Sequence, residues 1–256
     1  MRGFYAVFRK EMANFFASPI AYVVIAGFLL FAGLFFSSSL KWFSYISVRA
    51  ASAPQYADKI TVDRLVTQQV IPNMAVILLF LACLLTMRLF AEEKRSGSIE
   101  LLLTYPIRDT AIMFGKFLAV MAVLAITLAA SLPMWLFLFS LSEPDAGPLI
   151  GGYLGLLLMG SAFMSLGLFI SSLSENQVVA AVFTFVAALM FWLLSWMSSL
   201  MTGTVAEVLG HVSMIERLES FNKGVLSLSD VSFFILFTAF FLFLTLRSLE
   251  THRWRG

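Results

Sequence analysis

Six long runs of this chain contain no Asp, Glu, Lys or Arg: residues 20–40, 67–87, 117–142, 146–174, 176–206 and 231–246. A helix rises about 1.5 Å per residue, so about 20 apolar residues cross the hydrocarbon of a bilayer, and each run meets or approaches that length. The last run is the shortest, but Asp230 and Arg247 stand at its ends, where both interfaces can hold them. In lipid every backbone N–H and C=O must be paired within the protein, which makes helices the economical solution for runs of this length. Composition agrees: 60% of the residues are hydrophobic and 12% charged, against about 45–50% apolar in soluble domains. The expected fold is an all-α integral membrane protein in one domain over 1–256. Its spans are placed at 20–40, 67–90, 111–142, 146–174, 176–202 and 230–248.

Punctuation supports these boundaries. Ser18-Pro19 supplies a cap and a first-turn proline for the first span, and Pro72-Asn73 marks a start or bend in the second. Glu143-Pro144-Asp145-Ala146-Gly147-Pro148 forms a tight turn between the third and fourth. No fixed-period repeat is visible. Arg9, Lys10 and Glu11 interrupt the N-terminus and no small-residue cleavage site follows, so the first span is expected to be retained.

Six crossings put both termini on one side. The N-terminus, the 88–116 segment and the tail carry 11 of the 17 Lys and Arg residues, and the other side carries six. The positive-inside bias therefore places both termini in the cytoplasm. A formal net charge of +2, with its basic residues scattered, gives no footprint for nucleic acid. The single cysteine, Cys83, lies in an apolar run and can form no intrachain disulfide.

Ahead of the first span, Phe4, Tyr5, Phe8, Met12, Phe15 and Phe16 recur at helical spacing, with Arg2, Arg9, Lys10 and Asn14 on the remainder. This pattern over 1–18 predicts an amphipathic helix lying in the membrane interface, aromatics toward lipid and cations toward phosphates. It serves equally as an anchor or as a contact surface for a cytoplasmic partner. Between spans two and three, Glu92, Glu93, Lys94 and Arg95 carry the chain into water, and Gly97 interrupts the helix. Ser98 can cap a second short helix that Pro106 stops, with Ile99, Leu102 and Leu103 on one side and Glu100 on the other. Composition alone allows this to be a plain polar connector with snorkelling flanks.

The order of residues suggests more. The string Glu93-x-x-x-Gly97-Ser98-Ile99-Glu100-x-Leu102-Leu103-x-Tyr105-Pro106 resembles the Glu-x-x-x-Gly-Thr-hydrophobic-Glu-x-Leu-Leu-x-Ser-Pro signature between the second and third spans of type-2 ABC exporter permeases. It departs from that signature at Ser98 and Tyr105. The stretches Glu219-Ser220-Phe221-Asn222-Lys223-Gly224-Val225 and Thr245-Leu246-Arg247-Ser248-Leu249-Glu250 are similar to the gliding-motility and copper-maturation branch of those permeases. The resemblance implies a half-transporter of the bacterial inner membrane. Two permeases, as homo- or heterodimer, would pair above two copies of a separate ABC ATPase that binds ATP and Mg. It implies a cytoplasmic coupling helix, with Glu93, Gly97, Ser98, Ile99, Glu100, Leu102, Leu103 and Pro106 docking on the ATPase. The interfacial helix, with Phe4, Phe8, Arg9, Lys10, Met12 and Phe15, would sit at the ATPase edge. It further implies short re-entrant helices before span six; Glu207, His211, Glu216 and Arg217 are expected near the external mouth. The branch adds a periplasmic-domain accessory protein as a partner.

Several chemistries are excluded. Gly115-Lys116 has Thr110 where a phosphate-binding loop needs its first glycine and Phe117 where it needs a hydroxyl, so no ATPase site and no cofactor is expected on this chain. His211 and His252, the only histidines, have no metal-ligand spacing, and the serines in the spans lack a histidine partner, so no catalytic or metal residue is predicted. An ion-coupled carrier would place charges within the runs, and none is there. The remaining alternative is a non-transporting membrane scaffold that anchors an envelope protein complex.

Overall fold

The computed structural model describes residues 2–50, 63–98, 107–142, 144–201, 203 and 210–253. Those residues are helical or connecting, with no strand among them. The order is α1 (Arg2–Ala17), α2 (Pro19–Ala50), a π-helical turn (Asp63–Thr67), α3 (Gln68–Thr86), α4 (Ala91–Arg95), α5 (Asp109–Ala130), α6 (Leu132–Leu141), α7 (Ala146–Leu173), α8 (Gln177–Leu200), α9 (Met214–Asn222) and α10 (Leu228–Arg253). Six helical stretches are long and apolar enough to cross a membrane. Their number is that of the expected spans, with α5 and α6 together forming the third stretch and α3 continuing through a turn into α4 in the second.

Helix ends differ from expectation for identifiable reasons. The first span runs ten residues past its apolar core, to Ala50, because no breaker interrupts the polar residues after Leu40. The third span breaks at Ser131, where Pro133 in the first turn of α6 has no N–H to continue the ladder. Ser131 Oγ recovers part of the loss by bonding the Leu128 carbonyl at 2.6 Å and the Tyr153 hydroxyl at 2.6 Å.

The bundle has an inside and an outside. About two thirds of the apolar stretch is buried in α3 and in α7, but only 17% in α8 and 22% in α10. α7 is the central post and reaches its neighbours through glycines. A Cβ on Gly151 would lie 2.3 Å from the Phe221 carbonyl oxygen, and one on Gly167 would lie 2.1 Å from Thr86 Oγ1. Small residues permit this backbone approach, the dispersion-driven packing that replaces the hydrophobic effect in lipid. The exposed faces of α2, α8 and α10 carry large apolar side chains such as Leu34, Phe183 and Leu236.

Contacts define the two ends. The Ser172 carbonyl at the end of α7 accepts from Lys94 Nζ of α4 and from Ser248 Oγ of α10. α1, α4, the start of α5 and the end of α10 therefore share what we call the terminal face. α9 and the start of α10 lie on the opposite face.

Candidate functional site

On the terminal face, α1 presents Val7, Glu11 and Phe15 at four-residue intervals, all buried, with Phe4, Phe8 and Met12 half-buried beside them. The helix packs on the first turns of α5, where Gly115 removes the obstacle: a Cβ there would sit 2.8 Å from Val7 Cγ1. Tyr5, expected on the apolar face, is 63% exposed, because the buried stripe is centred on Glu11 rather than on the aromatics.

The neighbour of Gly115 is the centre of the site. Lys116 is 1% exposed, and its ammonium contacts Glu11 Oε1 at 2.7 Å, Glu93 Oε2 at 3.0 Å and the Leu89 carbonyl at 2.7 Å. The Glu93 contact is an ion pair off the axis of a hydrogen bond. The Phe90 ring centroid stands 5.1 Å from the same nitrogen. Glu93 Oε1 in turn accepts from Lys10 Nζ at 2.9 Å. Two cations and two anions thus balance, which is the condition for burying charge at tolerable cost. Burial works against the charged Lys10, but the Glu93 hydrogen bond and charge, with Glu11 behind them, outweigh it and hold its pKa above the ordinary lysine value of 10.5.

The link between α3 and α4 is stitched to the post. Ser171 Oγ of α7 accepts from the N–H groups of Phe90 and Ala91, at 3.1 and 3.3 Å, and donates to the Met87 carbonyl at 3.2 Å. These contacts serve backbone groups that the break at 87–90 leaves without helical partners. Arg88 lies 4.6 Å over the Phe15 ring and reaches the Asn14 carbonyl.

Beyond α4, Gly97 adopts φ +70, and an added Cβ would meet nothing within 4 Å. The glycine is needed for its left-handed backbone and not for space. Ser98 turns its hydroxyl toward the Glu93 carbonyl and toward Ser96 Oγ at 2.8 Å. The rest of the expected coupling helix, Ile99, Glu100, Leu102, Leu103 and Pro106, lies outside the described residues. The turn from α3 through α4 to Ser98 forms an elbow, and a polar cleft of about 470 Å³ opens beside it, lined by Asn14, Arg88, Glu92, Ser96 and Ser98 along with the charge cluster.

Of the sequence-predicted residues, the structure brings Lys10 and Glu93 together and sets Phe15 behind them. Lys10 pairs with Glu93, where its sequence position suggested a lipid phosphate; Arg9 is exposed. Glu11 and Lys116 were missed. The available signal was an acid on the apolar face of α1, which requires a buried cation.

On the opposite face, Ser213 caps α9 by accepting from the Glu216 N–H, and Met214, Leu218 and Phe221 bury its inner side. Arg217 joins this short helix to α10: Nη1 contacts Asp230 Oδ1 at 2.8 Å, Nε contacts the His211 carbonyl at 2.9 Å, and the Phe233 ring lies beneath at 4.2 Å. Asn222 Nδ2 donates to the Gln68 carbonyl at 3.0 Å. His211 and Glu216 are exposed and Arg217 half-buried; Glu207 lies outside the described residues. Among the described residues no group of His, Cys, Asp and Glu could hold a metal ion.

A profile of the ABC-2 family transporter proteins matches residues 5–249. The chain belongs to that family. As an ABC-2 family protein it is a membrane transport subunit, the permease of an ABC transporter, and such subunits generally associate with an ABC ATPase, dimerise and lack an ATPase site of their own. No curated protein matches the chain by sequence. The match spans all six membrane helices together with α1, so the ion cluster lies within the ABC-2 domain.

Proposed function

We propose that this ABC-2 permease is half of an exporter in which α1, α4 and the first turns of α5 move as one block, driven by a separate ATPase beneath the terminal face. The observation that carries the reading is the cluster of buried Glu11, Glu93 and Lys116 with the more exposed Lys10 at its rim, which binds three chain segments to one another. A floppy loop would absorb a displacement, whereas a segment pinned by buried charges and by Ser171 passes it to the spans. In this reading Gly97, Ser98, Ile99, Glu100, Leu102, Leu103 and Pro106 form the docking surface, and Glu93 anchors it from inside. Phe4, Phe8, Arg9 and Met12 edge the ATPase, and Lys10 and Phe15 fasten that edge. Glu207, His211, Glu216 and Arg217 belong to an outer gate around α9. The termini lie in the cytoplasm of a bacterial cell, the cluster of basic residues facing inward. Two ATPase copies hydrolyse Mg-ATP, two permeases pair, and the cargo path or force reaches an envelope machine through a periplasmic-domain accessory protein, as the C-terminal motifs suggest.

The test is reconstitution of the permease with a cognate ABC ATPase. Gly97→Pro, which cannot keep the positive φ and so redirects the chain after α4, and Glu100→Lys are expected to leave the six-helix bundle folded while abolishing its stimulation of ATP turnover and its co-purification with the ATPase. Full stimulation in both variants refutes the docking assignment. An envelope complex that co-purifies while ATP turnover ignores the permease would establish the scaffold instead.

A further inference from the structure

A groove between α5 and α10 is lined almost wholly by apolar side chains. It is an open groove of about 470 Å³ walled by Met113, Phe114, Phe117, Ile235, Leu242 and Phe243. The polar atoms at its floor are already engaged: Ser161 Oγ donates to the Leu158 carbonyl at 2.7 Å, and its contact with Thr238 Oγ1 at 3.0 Å takes up the second hydroxyl. Such a cavity favours hydrocarbon over water, because water needs polar partners to stay.

Its length and depth identify the leaflet. Along α10 the wall runs from Ile235 to Leu246, a rise of roughly 16 Å and about half of the ~30 Å hydrocarbon thickness. Thr110 and Leu246 mark its end on the terminal face. At that end stand two arginines. Arg108 is exposed and precedes Thr110 by two residues, and the Arg247 guanidinium lies 5.0 Å from the centroid of the Phe243 ring that walls the groove. Two acids are also close. Glu250 pairs with Arg247 at 2.7 Å in an exposed i,i+3 contact, which is weak and leaves other guanidinium donors open. Asp109 has its Oδ1 buried and so directs at most part of its charge outward.

We infer that this groove seats one anionic phospholipid of the leaflet on the terminal side, its acyl chain between α5 and α10 and its phosphate at Arg108 and Arg247. Basic residues at the end of an apolar inter-helical groove match both parts of such a lipid, and guanidinium is the side chain suited to phosphate. The inference rests on the six membrane helices and not on ATPase docking.

The experiment is native mass spectrometry of the full chain released from nanodiscs of 1-palmitoyl-2-oleoyl phosphatidylglycerol or phosphatidylcholine. The wild type is expected to retain one phosphatidylglycerol in preference to phosphatidylcholine. Ala239→Trp, which fills the groove from a partly lipid-exposed position, should lose the retained lipid of either kind; Ala239→Leu, a milder filling, guards against misfolding. Arg108→Gln and Arg247→Gln should each lower the preference for phosphatidylglycerol by about fivefold. Unchanged retention in both Ala239 variants, or an unchanged preference in both arginine variants, overturns the assignment. Loss of the dimer on filling, with lipid still retained, would show that a second copy occupies the groove and also overturns it.

Discussion

Replacing Lys116 with methionine is the sharpest perturbation of the buried cluster. Methionine keeps the stem, so packing against Phe90 and the α1 stripe changes little. What changes is charge: Glu11 loses its cation, Glu93 keeps only Lys10, and two carboxylates face the same low-dielectric space. Removing one partner of a buried pair costs about 3–5 kcal/mol. For a chain of this size 1 kcal/mol moves Tm by about 2–4 °C, so the variant should melt roughly 6–20 °C below the wild type. Glu11→Gln is the milder member, because Lys116 retains Glu93 and the Leu89 carbonyl; a cost of about 1.5–3 kcal/mol is expected for the lost charged hydrogen bond. The double variant leaves the Lys10–Glu93 pair neutral and complete. It should therefore recover stability relative to Lys116→Met alone, with a coupling energy of about 1–3 kcal/mol in the double-mutant cycle. Melting of the purified protein in detergent, read by circular dichroism, checks this. A Lys116→Met variant that melts with the wild type, or a cycle whose terms simply add, would refute the claim that these charges hold α1, the elbow and α5 together.

Four further outcomes follow from other contacts. Gly97→Ala places a side chain in open space at φ +70, so it should cost only about 1–2 kcal/mol of stability while reducing the permease-stimulated ATP turnover of the reconstituted complex. Gly151→Ala drives a methyl to within 2.3 Å of the Phe221 carbonyl oxygen; an overpacking cost of about 1–3 kcal/mol and faster hydrogen exchange across 214–222 are expected, and unchanged exchange would contradict the close contact. Arg217→Gln removes the Asp230 ion pair and the stacking on Phe233, so limited proteolysis should cut near α9 earlier than in the wild type. The raised pKa of Lys10 means that its contribution is complete below the ordinary lysine value of 10.5 and is lost as pH rises through the folded-state value; Lys10→Met should flatten that alkaline part of the melting curve, and a curve of unchanged slope would show that Lys10 is not coupled to Glu93.

The bundle was legible in the sequence because lipid enforces a simple rule: charge-free runs of sufficient length must be helices that satisfy their own backbone. The burial of Lys116 was not, since a cation immediately before the charge-free run at 117–142 reads as an interfacial end of its span until the first turns of α5 are seen packed against α1. Its partners lie 105 and 23 positions away in the chain, so no local pattern joins them. Glu11 gave a partial hint by falling on the apolar face of α1. Gly97 was recognised as an interruption through its poor helix propensity, but its left-handed backbone is the stronger cause and becomes visible only in the fold. The clasp by Arg217 was hidden because Asp230 had been assigned to the end of a span.

α7 relates the two faces. At its terminal end Ser171 and Ser172 hold the break before α4, Lys94 and Ser248. Near its other end Gly151 receives the backbone of α9, with Gly155 under Leu218 and Phe221. The whole helix is 28 residues, a length of about 42 Å at 1.5 Å per residue. Its glycines admit neighbours to backbone distance without breaking its hydrogen-bond ladder, and packed helical interiors deform little. A displacement imposed at the elbow therefore meets a stiff element whose far end is in contact with α9. In the proposed mechanism, that contiguity is what allows an engine under one face to act on a gate at the other.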